Sequence, residues 1–226
     1  MRARRRLRFV LAALAALLAV GLAALGVWQI ERRAWKLALI ARVEARLTAP
    51  PVAPPPPSRW AAIGEEDAYT RLRAAGRWRA VPPVFVQAVT DSGPGFWMLS
   101  PLDTARGTIL VNRGFIPRRD AAAAPRGPAV VTGLLRVTEP DGAFLRDNDP
   151  AGDRWYSRDV AAIAHARALG TVAPFFVDAE AVPGVAWPRG GLTVVQFRNN
   201  HLVYAVTWFA LAGLAAFFAW RIGRGD

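Results

Sequence analysis

The sequence predicts a membrane protein: two transmembrane α-helices flanking a mainly antiparallel β domain on the outer side, either a sheet or a small barrel, with one helix packed on it. Three observations predict it. Residues 9–30 and 202–220 contain no charged residue. Between them, short β-prone apolar stretches are separated by Gly, Pro and Asp clusters. The 226 residues include no cysteine, which excludes disulfide staples, zinc–thiolate sites and thiol catalysis.

The first apolar run follows Arg2, Arg4, Arg5, Arg6 and Arg8. It is longer than the ~7–15 residues of a secretory h-region, so it is read as a retained anchor rather than a cleaved signal. The second run, at ~1.5 Å per residue, gives roughly 28 Å of helix, close to the thickness of the hydrocarbon core. Short basic tails stay in the cytoplasm, and Arg221 and Arg224 follow the second run. Both termini are therefore expected in the cytoplasm of a bacterial inner membrane. The expected organisation is a basic tail (1–8), helix (9–30), helical extension and Pro-rich linker (31–57), periplasmic β-rich domain (58–200), helix (201–220) and tail (221–226).

Ala12, Ala16, Ala19, Ala23 and Gly26 recur at helical spacing in the first run, as do Ala205, Ala212, Ala215 and Ala219 in the second. Small residues at this spacing let membrane helices approach closely. Either the two stripes pack on each other, or Tyr204 and Trp208 hold a slot open between them. Trp28 and Trp35 suit the headgroup level. Arg32 and Arg33 beside them suit lipid headgroups or the acidic groups of a ligand. The helix is expected to continue to about Leu47. The prolines of residues 50–57 then impose an extended, stiff spacer.

Strands are expected at 70–79, 83–89, 96–100, 107–116, 129–137, 174–178 and 192–198, and one helix at 159–169. Within the central strand, Arg113 is expected to be fixed by a carboxylate or by backbone carbonyls. Gly114 is expected to mark a bulge or a close backbone approach.

The net charge of +12 does not indicate nucleic acid, because no basic helix or aromatic-interleaved stripe carries it. No nucleophile elbow, phosphate loop or metal cluster assembles, so no enzymatic role is expected. His165 belongs to the helix at 159–169 and is expected to be exposed. His201 stands at the head of the second apolar run, with Tyr204, Ala205 and Trp208 at helical spacing. Its chemistry leaves two readings open: an amphipathic filler, or an axial ligand to haem iron with arginines such as Arg198 near the propionates.

Four stretches in order resemble one family. They are Gly26-x-Trp28-Gln29 with Arg32-Arg33-x-Trp35-Lys36-Leu37, and Thr108-Ile109-Leu110-Val111-Asn112-Arg113-Gly114-Phe115-Ile116-Pro117. The third is Asn148-x-Pro150, Trp155-Tyr156-x-Arg158-Asp159 and Pro174-x-Phe176-x-Asp178-Ala179. The fourth is Arg198-Asn199-x-His201-Leu202-x-Tyr204-x-x-Thr207-Trp208. Together they resemble the Surfeit locus protein 1 family of cytochrome oxidase assembly factors. The resemblance implies a non-enzymatic chaperone that binds haem A and assists its delivery to subunit I. Subunit I, haem A synthase and membrane lipids are the implied partners. His201 is the implied iron ligand, with Tyr204, Trp208, Arg198, Arg32, Arg33 and Trp28 around the haem. A scaffold that stabilises an early subunit I intermediate without haem uses the same motifs and stays open.

Overall fold

The computed structural model describes residues 2–120, 122–140, 142, 146–193 and 199–224. In chain order the elements are α1 (Arg2–Thr48), β1 (Arg71–Trp78), β2 (Val84–Thr90), β3 (Gly93–Thr104), β4 (Gly107–Ile116), β5 (Pro128–Val137), α2 (Val160–Ala166), β6 (Val172–Ala179) and α3 (His201–Arg224). They form two compact units, Met1–Arg42 with Val195–Asp226, and Val43–Val194.

In the first unit α1 and α3 pair side by side. Both are long and apolar enough to cross a membrane. Leu14, Leu17, Leu18 and Val20 of α1, and Val206, Leu214, Phe217 and Phe218 of α3, are exposed. Such a coat of large apolar side chains suits hydrocarbon and not water. The inward faces are small. Gly26, Ala205, Ala212 and Ala215 are buried, and Ala12, Ala19 and Ala23 are half-buried. The two small-residue stripes thus pack on each other. Ala16, expected in the first stripe, is exposed and Ala15 takes its place, because the contact face follows the 3.6-residue period of a straight helix.

In the second unit the strand order is β1-β5-β6-β4-β3, and β1 also pairs with β3, so five strands close into a barrel with β2 added outside β3. All pairings are antiparallel except β4 with β6. Leu72, Ala74, Leu102, Ile109, Val111, Val131, Leu135, Ala173, Phe175 and Val177 form one buried core, lining the inside of the closed sheet. A second core gathers Val84, Val86, Leu99, Leu110, Trp155, Val160, Ile163 and Phe176 under α2. Asp159 caps α2, its carboxylate accepting from the Ala162 amide at 3.0 Å.

β3 runs through Pro101, longer than the sequence predicts. It pairs with β2 as far as Leu99 and with β1 from Leu102. Pro101 stands at the change of partner, where its missing N–H costs no ladder bond on that edge.

The proline tract is not a free-standing spacer. The Val52 amide donates to Arg71 O (3.0 Å) and the Arg73 amide to Val52 O (2.8 Å). Arg106 donates to Pro54 O (2.7 Å) and the Trp60 indole to Pro55 O (3.1 Å). Prolines lack donors but keep carbonyls, so the extended tract is held through its acceptors and its one valine. Of the expected closing strand 192–198, Leu192 and Thr193 are irregular and 194–198 lie outside the described residues.

Candidate functional site

His201 is the first residue of α3, and its ring is half-buried. Its Nδ1 lies 2.7 Å from Oε1 of Gln29. An amide oxygen can only accept, so Nδ1–H is the donor, and in the neutral ring the lone pair is then on Nε2. A hydrogen bond at one imidazole nitrogen is the usual device by which a protein orients the other toward a metal. Two residues before His201, Asn199 Oδ1 is buried with no hydrogen-bond partner among the described residues. That orphan acceptor carries a desolvation cost.

On α1, Arg33 continues the inward face one turn beyond Gln29 and is half-buried. Arg32 is exposed, its guanidinium stacked over the Trp35 ring at 4.0 Å. Trp28 and Tyr204 are both exposed, and Trp208 is half-buried. Tyr204 therefore does not share the buried face of His201, Ala205 and Trp208. Three residues turn the helix by 300°, which leaves it at the edge. Arg198 lies outside the described residues. The structure thus brings His201, Gln29 and Arg33 onto the facing sides of two helices, with Trp28, Arg32 and Tyr204 on the outward sides.

Gln29 is the residue that sequence reasoning passed over. It stood in the quoted Gly26-x-Trp28-Gln29 stretch, but nothing local showed that it faces a histidine 172 positions away.

A second polar centre lies in the β domain. Asp178 on β6 is 6% exposed. It accepts from Asn112 Nδ2 (2.8 Å), Arg136 Nη1 (3.0 Å), Thr193 Oγ1 (3.0 Å) and Arg158 Nη1 (3.3 Å). Arg158 also forks onto Glu139 at 2.6 and 2.9 Å. Burial pulls the Arg158 guanidinium down, but the hydrogen bonds to Glu139 and the charges of Asp178 and Glu139 outweigh it and hold it above its ordinary value. The cluster lines a cavity of about 250 Å³ with Trp97, Gly114 and Gly190-Gly191. Two arginines balance two carboxylates, and each acid oxygen has a donor, so the cluster ties β4, β5, β6 and residues 156–159 together. His165, on α2, is exposed and takes no part in the Asp178 cluster.

Comparison with known proteins bears on residues in both units. The model of the SURF1 family matches residues 16–213. Surfeit locus protein 1 of Rattus norvegicus is 33% identical over 223 residues, covering 87% of this chain and 70% of that protein. Its Homo sapiens counterpart is 34% identical, covering 85% and 71%. A SURF1-like protein of Monosiga brevicollis is 34% identical, covering 84% and 78%. The match reaches into both apolar helices and covers the whole barrel, with Gln29, Asp178 and His201 inside it: this chain belongs to the SURF1 family.

Proposed function

We propose that the chain is an assembly factor for a haem-copper cytochrome oxidase, resident in a bacterial inner membrane, that holds haem A and assists its delivery to subunit I. Its role is non-enzymatic. Its β domain faces the periplasm, and its partners are subunit I, haem A synthase and the surrounding lipids. The observation that carries this reading is the Gln29–His201 hydrogen bond, which leaves Nε2 of His201 available as an iron ligand.

The residues present fit a haem. A neutral imidazole supplies one axial nitrogen. Arg33, one turn beyond Gln29, and Arg32 supply cations for propionates. Trp208, half-buried on the His201 face of α3, and the outward-facing Trp28 and Tyr204 supply aromatic surface at this end of the helix pair. The inward alanine stripe is taken up by α1, so a prenyl tail would lie along the outward apolar residues of the pair. Each CH₂ buried there contributes ~0.8 kcal/mol, so loss of the imidazole weakens retention without eliminating it.

The test is to purify the full chain and its variants from cells that make haem A and record absorption spectra. His201→Ala should shift the bound haem's spectrum and lower its occupancy, while membrane insertion is unchanged. His165→Ala should do neither. Wild-type occupancy and spectrum in His201→Ala would remove His201 as ligand and favour the haem-independent scaffold.

A further inference from the structure

At one end of the barrel the inner wall changes character. Ile109 and Val111 of β4 point into the core, and Arg113, two residues on, follows on the same side of the strand. Arg113 lines a groove of about 450 Å³ whose walls combine the apolar Trp78, Val111, Val131, Val182, Pro183 and Val185 with Thr132 and Glu180. Its guanidinium is half-buried. Nη1 donates to Ala123 O at 3.1 Å and touches Met98 Sδ at 3.5 Å, and the group lies 5.7 Å from the Trp78 ring centre. Among the described residues no carboxylate reaches it. The one acid on the rim, Glu180, is already held by Arg71 at 2.8 and 2.9 Å. Burial pulls the Arg113 guanidinium below its ordinary value, yet arginine stays protonated in proteins.

A charge taken partly out of water without a counter-ion is costly, and arginine is rarely placed so unless an anion completes it. Barrel mouths are a common place for ligand sites of this size, with apolar walls and a single orienting polar group. We infer that this barrel mouth is a binding site for an aliphatic carboxylate, the carboxylate pairing with Arg113 and the chain lying along Val131, Val182, Pro183 and Val185. One cation with no carboxylate partner among the described residues, beside valine methyl groups and a proline ring, matches one anion on one apolar chain. The site lies in the β domain and is independent of His201.

The probe is a decanoate analogue carrying a diazirine on its chain, photolysed with the full-length protein in zwitterionic lipid nanodiscs. Adducts should map to residues 129–132 and 181–188. Unlabelled decanoate should compete at a concentration on the order of tenfold lower than decanol, the value of one charge-assisted contact. Acetate, lacking the chain, should not compete. Arg113→Met should erase the difference between decanoate and decanol. Val182→Trp, at an exposed position, should cut labelling by filling the groove, and it decides the matter if Arg113→Met does not fold. Adducts elsewhere, equal competition by decanol and decanoate on the wild-type protein, or undiminished labelling of Val182→Trp would each overturn the inference.

Discussion

Gln29 Oε1 and His201 Nδ1 meet at 2.7 Å, from two helices with the whole β domain between them in sequence. The contact sets which nitrogen of the neutral imidazole carries the proton, so it can be altered without touching Nε2, the nitrogen proposed as the iron ligand. Gln29→Leu should let the imidazole turn and change tautomer. Haem retention should fall by roughly 10–100-fold, the usual effect of losing such an orienting partner. Gln29→Glu should preserve retention and, by placing a carboxylate on Nδ1–H, lower the reduction potential of the bound haem. Redox titration alongside the absorption spectrum separates the two variants. Identical behaviour of Gln29→Leu and wild type would mean that the contact does not orient the ring.

Two glycines in the family motifs should respond differently to alanine. Gly114 has φ +128, and an added Cβ would lie 2.2 Å from the backbone of Arg189. This is where Phe115 and Arg189 exchange both backbone hydrogen bonds at 2.9 Å. Neither backbone can retreat, so Gly114→Ala should cost about 3 kcal/mol of domain stability. At Gly26 the added Cβ would meet only the Phe209 ring, at 2.7 Å. That ring is at the end of a rotatable, exposed side chain. Gly26→Ala should therefore leave helix pairing and membrane insertion intact. Denaturation midpoints of the β domain within each full-length variant check both.

How far the sequence reaches is clear from particular residues. The charge-free runs are legible because a hydrocarbon surrounding demands unbroken apolarity, β4, Gly107–Ile116, because residues 109–111 and 115–116 are apolar on both faces, and Asp159 declares the start of α2 by its capping chemistry. The barrel's closure is not legible. It depends on three residue pairs, Gly76–Thr104, Arg77–Asp103 and Trp78–Leu102, and no local pattern states which edge meets which. Pro101 reads as a strand end, because a single sequence does not show that β3 changes partners there. His201 stands out as an isolated histidine at a membrane boundary, whereas Gln29 is one polar residue among several. The Asp178 cluster is assembled from five separate segments, so its members look like ordinary surface charges until the sheet brings them together.

Asp103 should make stability depend on pH. Hydrogen bonds from Arg79 hold its carboxyl below the usual carboxylate range; burial opposes this, and the Thr108 hydroxyl and the Arg79 charge add to the lowering. Because the folded-state pKa is depressed, the stabilisation is fully present above the unfolded value of ~3.9 and is lost as pH falls through the folded value. The Asp103 side chain is 42% exposed, so water screens the pair and its contribution should stay within ~1 kcal/mol. Asp103→Asn should thus be less stable than wild type at neutral pH, with the gap closing below about pH 4. Denaturant titrations from pH 7 to pH 2 measure the gap. A pH-independent gap would show that hydrogen-bond geometry, and not the charge, accounts for it.

The helix pair also fixes an expected topology. Arg8 donates through Nε and Nη2 to Ile222 O at 3.3 Å, capping orphan carbonyls at the end of α3. From that bond to the Gln29–His201 contact, each helix advances by 21 residues. At ~1.5 Å per residue the two bonds stand roughly 31 Å apart, close to the ~30 Å hydrocarbon core. The Arg8 end gathers Arg5, Arg6, Arg8, Arg221 and Arg224, all exposed or half-buried, and short basic flanks remain in the cytoplasm. The Gln29–His201 end, and the chain from the proline tract to the end of the β domain, should then lie in the periplasm. Alkaline phosphatase folds only in that compartment, so a fusion after Pro57 should be active and a fusion after Arg224 inactive. The reverse pattern would invert the orientation and place the imidazole on the cytoplasmic side. Activity at both positions would mean that the second apolar helix does not return the chain across the membrane.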